Sequence, residues 1–456
     1  MAAVSKSAIA LVMVAGAVRA EPAPTSLDLD GAIAFATAHH PALRADAADV
    51  RAATEQVDVE RAKYTPDLEL FAQLDRATQN AVPGPFFAVP GLPVVAGTPG
   101  RTFDSGHWGS EVGASATWDA LGYRKWDAMI DKARAEVQLA RDSATASALD
   151  VQYLAADRFI AAVERDQALA AAKAGVDRAQ VFLGIVQATV GSDLRAGADL
   201  SRAKAELAFA KTQLARAQAA LAVSQSELRE ALGAPDAPVQ LEPGKLAATP
   251  PAALAAAAQR DPRLVAADDR VHVAEAERRV IATGTQPKLA LVGALFARGN
   301  GTLTGGADAH GIVPDAPNWA LGVLLTWPVL ADRSIAPAVR AQQARIAAER
   351  AHEDVLGQQL ASRNQRAKAL LDGALEVARN TPDALTAAQD AEKQTVARFK
   401  AQLATADDVA QVERLLVQAE TDDALARLDV WRAVLFVAYA NGDLAPFLAQ
   451  YRGAVK

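Results

Sequence analysis

The sequence predicts a mainly α-helical chain with a membrane β-barrel portion. Long coiled-coil helices form an α-barrel tunnel, and four β-strands join a barrel shared with other subunits. Three observations predict this: the chain is an internal duplication, it carries four segments of alternating polarity, and its helices repeat apolar residues at heptad spacing. The organisation read from them is a signal peptide at 1–20, a first repeat at 21–233 and a linker at 234–251, then a second repeat at 252–442 and a tail at 443–456.

In chain order, the export signal comes first. Lys6 supplies a positive n-region and Ala8 to Ala17 a short apolar run. Val18 and Ala20 take the positions that precede a cut before Glu21. That run is too short to span a bilayer, and no later stretch offers about 18 uncharged apolar residues. An exported chain of this kind is periplasmic, secreted or an outer-membrane barrel.

The duplication follows. His40-Pro41-Ala42-Leu43 returns as Asp261-Pro262-Arg263-Leu264, and the register holds through Val50/Val271, Ala53/Ala274, Val59/Val280 and Pro66/Pro287. A second register pairs Thr117-Trp118 with Thr326-Trp327 and Asp199-Leu200 with Asp408-Val409. The shift between them falls in Gly- and Pro-rich loops at 77–105 and 299–316, where insertions cost least. Each half therefore reads helix, strand, loop, strand, long helix, turn, helix.

Asp67–Asp75 alternates, with Leu68, Leu70, Ala72 and Leu74 on one face and Asp67, Glu69, Gln73 and Asp75 on the other; Phe71 breaks the pattern. Lys288–Arg298 repeats it with Leu289, Leu291, Gly293, Leu295 and Ala297. Trp108, Val112, Ala114, Ala116 and Trp118 share a face in the second strand, as do Trp319, Leu321, Val323, Leu325 and Trp327 in the fourth. Tryptophans Trp108, Trp118, Trp319 and Trp327 suit a lipid–water aromatic belt. Four strands cannot seal a membrane barrel, because open edges are not tolerated in lipid and single-chain barrels need at least about eight strands. Strands in a membrane would therefore require a barrel completed by other subunits.

The helices zip. Leu200, Ala203, Leu207, Ala210, Leu214, Ala217, Leu221, Ser224, Leu228 and Ala231 keep a three-four spacing, with small residues that permit close approach. Val409, Val412, Leu416, Ala419, Ala426, Val430, Ala433 and Val437 repeat the seam, which Asp423 interrupts. Tyr123 to about Val190 has no proline and reads as one helix about 100 Å long.

The remaining composition excludes other chemistry. Lys and Arg number 47 against 54 Asp and Glu, a net charge of −7, which argues against a nucleic-acid partner. There is no cysteine, hence no disulfide and no thiol chemistry. No phosphate-binding loop, zinc-protease motif or nucleophile elbow occurs, and His39-His40 point apart on a helix. The expectation is no enzyme, no catalytic residue, no cofactor and no metal.

The order of these pieces resembles the TolC-type outer-membrane factor family over nearly the whole mature chain. The segments that carry the resemblance are Leu27-Asp28-Leu29-Asp30-Gly31-Ala32-Ile33-Ala34, His40-Pro41-Ala42-Leu43, Tyr64-Thr65-Pro66, Thr117-Trp118, Thr326-Trp327-Pro328, Ala198-Asp199-Leu200-Ser201-Arg202-Ala203, Arg398-Phe399 and Asp407-Asp408-Val409. The resemblance implies a homotrimer with a 12-stranded barrel in outer-membrane lipid and a 12-helix tube in the periplasm. It implies docking to a periplasmic adaptor protein and, through it, to an inner-membrane transporter. Such a channel is the passive exit duct of a tripartite efflux or type I secretion system. A periplasmic adaptor and a structural coiled-coil envelope protein are the alternatives; both leave the strand pairs and their tryptophans unexplained.

The resemblance also places the tips of the tube near Val190–Asp199 and Phe399–Asp408, closed like an iris. Asp408 falls where family members ring the closed entrance with carboxylates, and Asp407 is adjacent. Like charges crowded around an axis would favour cations. Asp199 is the third gate candidate, with an N-cap role as its other reading; of Asp407 and Asp408, one reads as a cap and the other as facing the lumen. Two positions depart from the pattern: Gln402 stands where a tip glycine is common, and Gln411 where a second gate acid can occur.

Overall fold

The computed structural model describes residues 26–78, 106–191, 197–236, 240–247, 260–300 and 311–453. The expected signal peptide at 1–20 lies outside the described residues, as do 79–105 and 301–310 of the strand loops and 192–196 of the first tip. The elements run β1 (Ser26–Leu27), α1 (Leu29–His39), α2 (Pro41–Ala62), β2 (Asp67–Thr78), β3 (Gly106–Asp119), α3 (Tyr123–Gly191) and α4 (Gly197–Leu232). Then come β4 (Gln240–Leu241), α5 (Pro262–Ala282), β5 (Lys288–Asn300), β6 (Ala316–Thr326), α6 (Asp332–Lys400), α7 (Ala406–Ala440) and α8 (Ala445–Arg452).

The repeated sequence becomes repeated structure for local reasons. His40 caps α2 by accepting the Ala42 amide on Nδ1 at 3.2 Å, and Pro41 takes the first turn. Asp261 caps α5 in the same way, accepting the Arg263 amide at 2.9 Å ahead of Pro262. Proline at this position loses no helical hydrogen bond and arrives with its φ preset. Each capped helix leads into a strand pair, β2–β3 or β5–β6, and then into a long helical hairpin, α3–α4 or α6–α7.

The four long strands form one antiparallel sheet in the order β2-β3-β5-β6. β3 pairs with β5 across the duplication, Trp118 opposite Leu291 and Ala114 opposite Leu295, so the two hairpins are fused edge to edge.

A second short pairing closes the waist. β1 runs parallel to β4, with Ser26 opposite Gln240 and Leu27 opposite Leu241. Around it lies the largest core, built from Leu29 and Ile33 of α1, Phe159 and Ile160 of α3, Leu228 and Leu232 of α4, Trp431 and Leu435 of α7, and Phe447 and Tyr451 of α8. Trp431 meets Phe447 edge-on with ring centroids 6.1 Å apart. Thus Ala445–Arg452 of the expected tail is a docked helix, and Leu246 of the expected linker is fully buried. Phe447 alone removes a whole phenyl group from water, an effect of about 2–3 kcal/mol.

Candidate channel wall

In a pleated sheet, directly opposed residues share a face. Leu70, Ala114, Leu295 and Trp319 lie in one cross-strand rank; Leu68, Ala116, Gly293 and Leu321 lie in another. Every apolar face read from the sequence therefore falls on the same side of the sheet. This side is open: Leu70 is 82% exposed and Trp319 77%. The other side carries Glu69 beside Ser115, and Gln73 beside Glu111 beside Arg298. On this side Ser115 and Glu111 are buried. A Cβ on Gly113 would stand 2.6 Å from that of Phe296, so the two strands meet there only because this residue is glycine.

The four tryptophans mark heights along the strands. Trp118, whose indole donates to the Tyr64 carbonyl at 3.0 Å, and Trp327 lie at the helix-side boundary. Trp108 lies near the far end, opposite Arg76, whose guanidinium sits 5.6 Å over its ring. From Trp108 to Trp118 the strand covers about 33 Å, or about 25 Å of height at the usual tilt. Trp319 sits between these levels, opposite Leu295, rather than at a strand end. The edges are open: among the described residues β2 pairs only with β3, and β6 only with β5.

The helices form a wall with the same two edges. Near the sheet the order is α2, α3, α5, α6; beyond the waist it is α4, α3, α7, α6. Seam residues of α4 turn toward α3, with Ala203, Ser224, Leu228 and Ala231 buried, and those of α7 turn toward α6 and α3. Asp423, which interrupts the second seam, accepts from Thr381 of α6 at 3.3 Å and from Arg427 at 3.1 Å. Between the two hairpins, Arg178 of α3 bridges Glu413 at 3.2 Å and Glu420 at 2.7 Å on α7. The hairpin ends of all four long helices, α3, α4, α6 and α7, meet in the small core of Phe182, Val186, Ala203, Phe399, Ala406 and Val409.

The three aspartates proposed from sequence gather near this end and do different work. Asp408 is taken up by a capping box. It accepts the Thr405 amide at 2.7 Å and hydroxyl at 2.8 Å, while Thr405 accepts the Asp408 amide. Those bonds hold its carboxyl below the usual carboxylate range. Asp407 pairs with Arg202 of α4 and accepts from Gln411 at 3.0 Å. Asp199 lies in the first turn of α4, half-buried, where a carboxylate suits the helix dipole. Gln402, in the turn before α7, has φ of 63°, the only non-glycine with positive φ among the described residues. Sequence reading missed the partners: Thr405, Arg202, and the Arg414–Glu206 pair that also joins α7 to α4. Thr405-x-x-Asp408 was legible as a capping box. The α4–α7 pairs join residues about 200 positions apart and left no local signal.

A four-stranded antiparallel sheet with one exposed apolar face is thus joined to a wall of long helices. Residues 32–234 match the model of the outer membrane efflux protein family. The fold extends the likeness to both repeats. The CmeC outer membrane channel of Campylobacter jejuni is 14% identical with a TM-score of 0.73, over 91% of this chain and 85% of that one. VceC, an outer membrane protein of Vibrio cholerae, is 16% identical with a TM-score of 0.70, over 91% and 96%. The outer-membrane channel OprN is 17% identical with a TM-score of 0.70, over 91% and 89%. The chain matches no curated protein sequence. The described chain thus shares the fold of these channels across both repeats.

Proposed function

We propose that the chain is one subunit of a homotrimeric outer-membrane duct, the passive exit channel of a tripartite efflux or type I secretion system. The observation that carries this reading is the coincidence of edges. β2 and β6 are unpaired outward, and the wall ends on the same sides, in α2 and α4 at one edge and α6 at the other. One rotation about an axis satisfies both the sheet and the wall, and three copies supply twelve strands and twelve helices at each level. Lipid would cover the apolar face between the Trp118 and Trp108 levels, with Trp319 in the apolar band. The tube would then stand in the periplasm, its tip offered to an adaptor protein and through it to an inner-membrane transporter. The energy comes from that transporter; the duct supplies a water-filled path. The two repeats, 21–233 and 252–442, act as quasi-equivalent sixths of the wall.

At the tip, Asp407 is the better gate residue, with Asp199 beside it. Asp408 is bonded within its own helix end, so its removal would loosen the cap as well as the charge. Arg202–Asp407 and Arg414–Glu206 are the pairs that must part if α7 swings from α4. The test is the purified chain in planar bilayers. Asp407→Ala and Arg202→Ala should each raise conductance severalfold in low salt, with a smaller gain at high salt, where ion pairs are screened. A wild-type chain that forms no pores and stays soluble would overturn the duct. Variants with unchanged current would overturn the gate alone.

A further inference from the structure

At the waist the wall carries a recess of about 560 Å³, bounded by α3 and α6 and floored by α7. Its size is that of a small-molecule site. Tyr153 and Phe436 line it with ring centroids 6.3 Å apart, and Leu370 and Val377 of α6 form an exposed apolar lip. Its charges do not balance. Arg432 is held by Asp157 at 2.6 and 3.1 Å and lies 3.6 Å from buried Glu164. Asp429, exposed on the rim, has no hydrogen bond or ion pair of contact length to a described residue, and the Arg432 charge three residues on acts on it from a distance. Two lining carboxylates therefore face one guanidinium that Asp157 already neutralises.

The recess also faces a definite way. On α7, Trp431, Val434, Leu435 and Ala438 pack into the waist core with α1 and α8. Asp429, Arg432 and Phe436 stand roughly 130° around the helix from that row. The layer of α1 and α8 and the recess thus lie on opposite sides of the wall. Three copies of an added helical layer fit only outside a tube that must pass cargo, which turns the recess inward.

We propose that this recess is a binding site for lipophilic organic cations, held by the aromatic floor and the unpaired Asp429 carboxylate. An aromatic surface beside a lone carboxylate attracts an apolar cation by cation–π and Coulomb terms together, and repels an anion of the same shape. The site's position on the inner wall rests on the duct reading; its ligand class does not.

The probe is tetraphenylphosphonium, with tetraphenylborate as its anionic counterpart, titrated calorimetrically into the purified full chain in detergent. Saturable binding of the cation alone is expected. Asp429→Asn, on the surface and without folding risk, should weaken it roughly three- to fivefold. Asp429→Lys should abolish it. Equal binding of both ions, no saturable binding, or an Asn variant indistinguishable from wild type would each overturn the site. Pore formation by the same preparation separates the two readings: a conducting chain that ignores the cation defeats the site and leaves the duct. A chain that binds it and forms no pore keeps the site and defeats the duct.

Discussion

The two halves each contain a helix of 69 residues, α3 and α6, and these equal helices have unequal surroundings. α3 is an interior member of the wall, packed on α2, α4, α5 and α7, and it gives Phe159, Ile160, Ala162 and Val163 to the waist core. α6 packs chiefly on α5 and α7, and along its length only Gln342, Ile346, Leu360, Ala367, Ala388 and Phe399 are buried. It also carries Pro337 and Pro382, which an edge helix tolerates more readily than a surrounded one. Duplication made the elements alike; position in the wall made one a core member and the other an open flank, with Val355 half-exposed on it. That asymmetry is the physical reason to expect neighbours.

Substitutions on the two helices should break or sharpen the comparison. Phe159→Ala empties a fully buried site on α3 and should cost about 3–5 kcal/mol, read as a lower urea midpoint. Val355→Arg on α6 should leave the fold of the single chain intact and instead weaken assembly, read as a shift from trimer to monomer in detergent. An α6 variant as damaging to the fold as the α3 variant would remove the distinction.

Next comes Glu164 on α3. Burial pushes its carboxyl up to about 7 from an ordinary 4.5. The folded chain therefore holds this proton more tightly than the unfolded chain. The associated stability is present below about pH 4.5 and is lost as pH rises through 7. Glu164→Gln should flatten that slope and gain about 2 kcal/mol at pH 8, measured by denaturant midpoints across pH. Asp408 has the opposite sign: its contribution is present above the usual carboxylate range and fades only in stronger acid. At the tip, Thr405→Ala should cost about 1 kcal/mol through the lost cap. Gln402→Gly should change stability least, by a gain of under about 1 kcal/mol from relieved backbone strain.

Much of the wall was legible because its signals are local. Alternation in Asp67–Asp75 gave β2, and the three-four spacing from Leu200 gave the face that α4 turns to α3. The fusion of β3 to β5 was not legible, since it joins Trp118 to Leu291 across the duplication with no turn between to set the register. The waist was missed for a related reason. Ala445–Arg452 is too short to show a period, and its burial depends on Trp431 and Leu29 arriving from distant parts of the chain. Of the gate candidates, Asp408 was placed by position in a family pattern, whereas Thr405 three residues before it decides what its carboxylate bonds to.

The most direct test of shared closure uses the absence of native cysteine. Leu70→Cys on β2 and Leu321→Cys on β6, introduced together and treated with a flexible bis-maleimide in outer membranes, report whether these edges meet between subunits. The account predicts covalent dimers and trimers on denaturing gels, with each single variant giving no trimer. A doubly substituted chain that stays monomeric under the same treatment would contradict it.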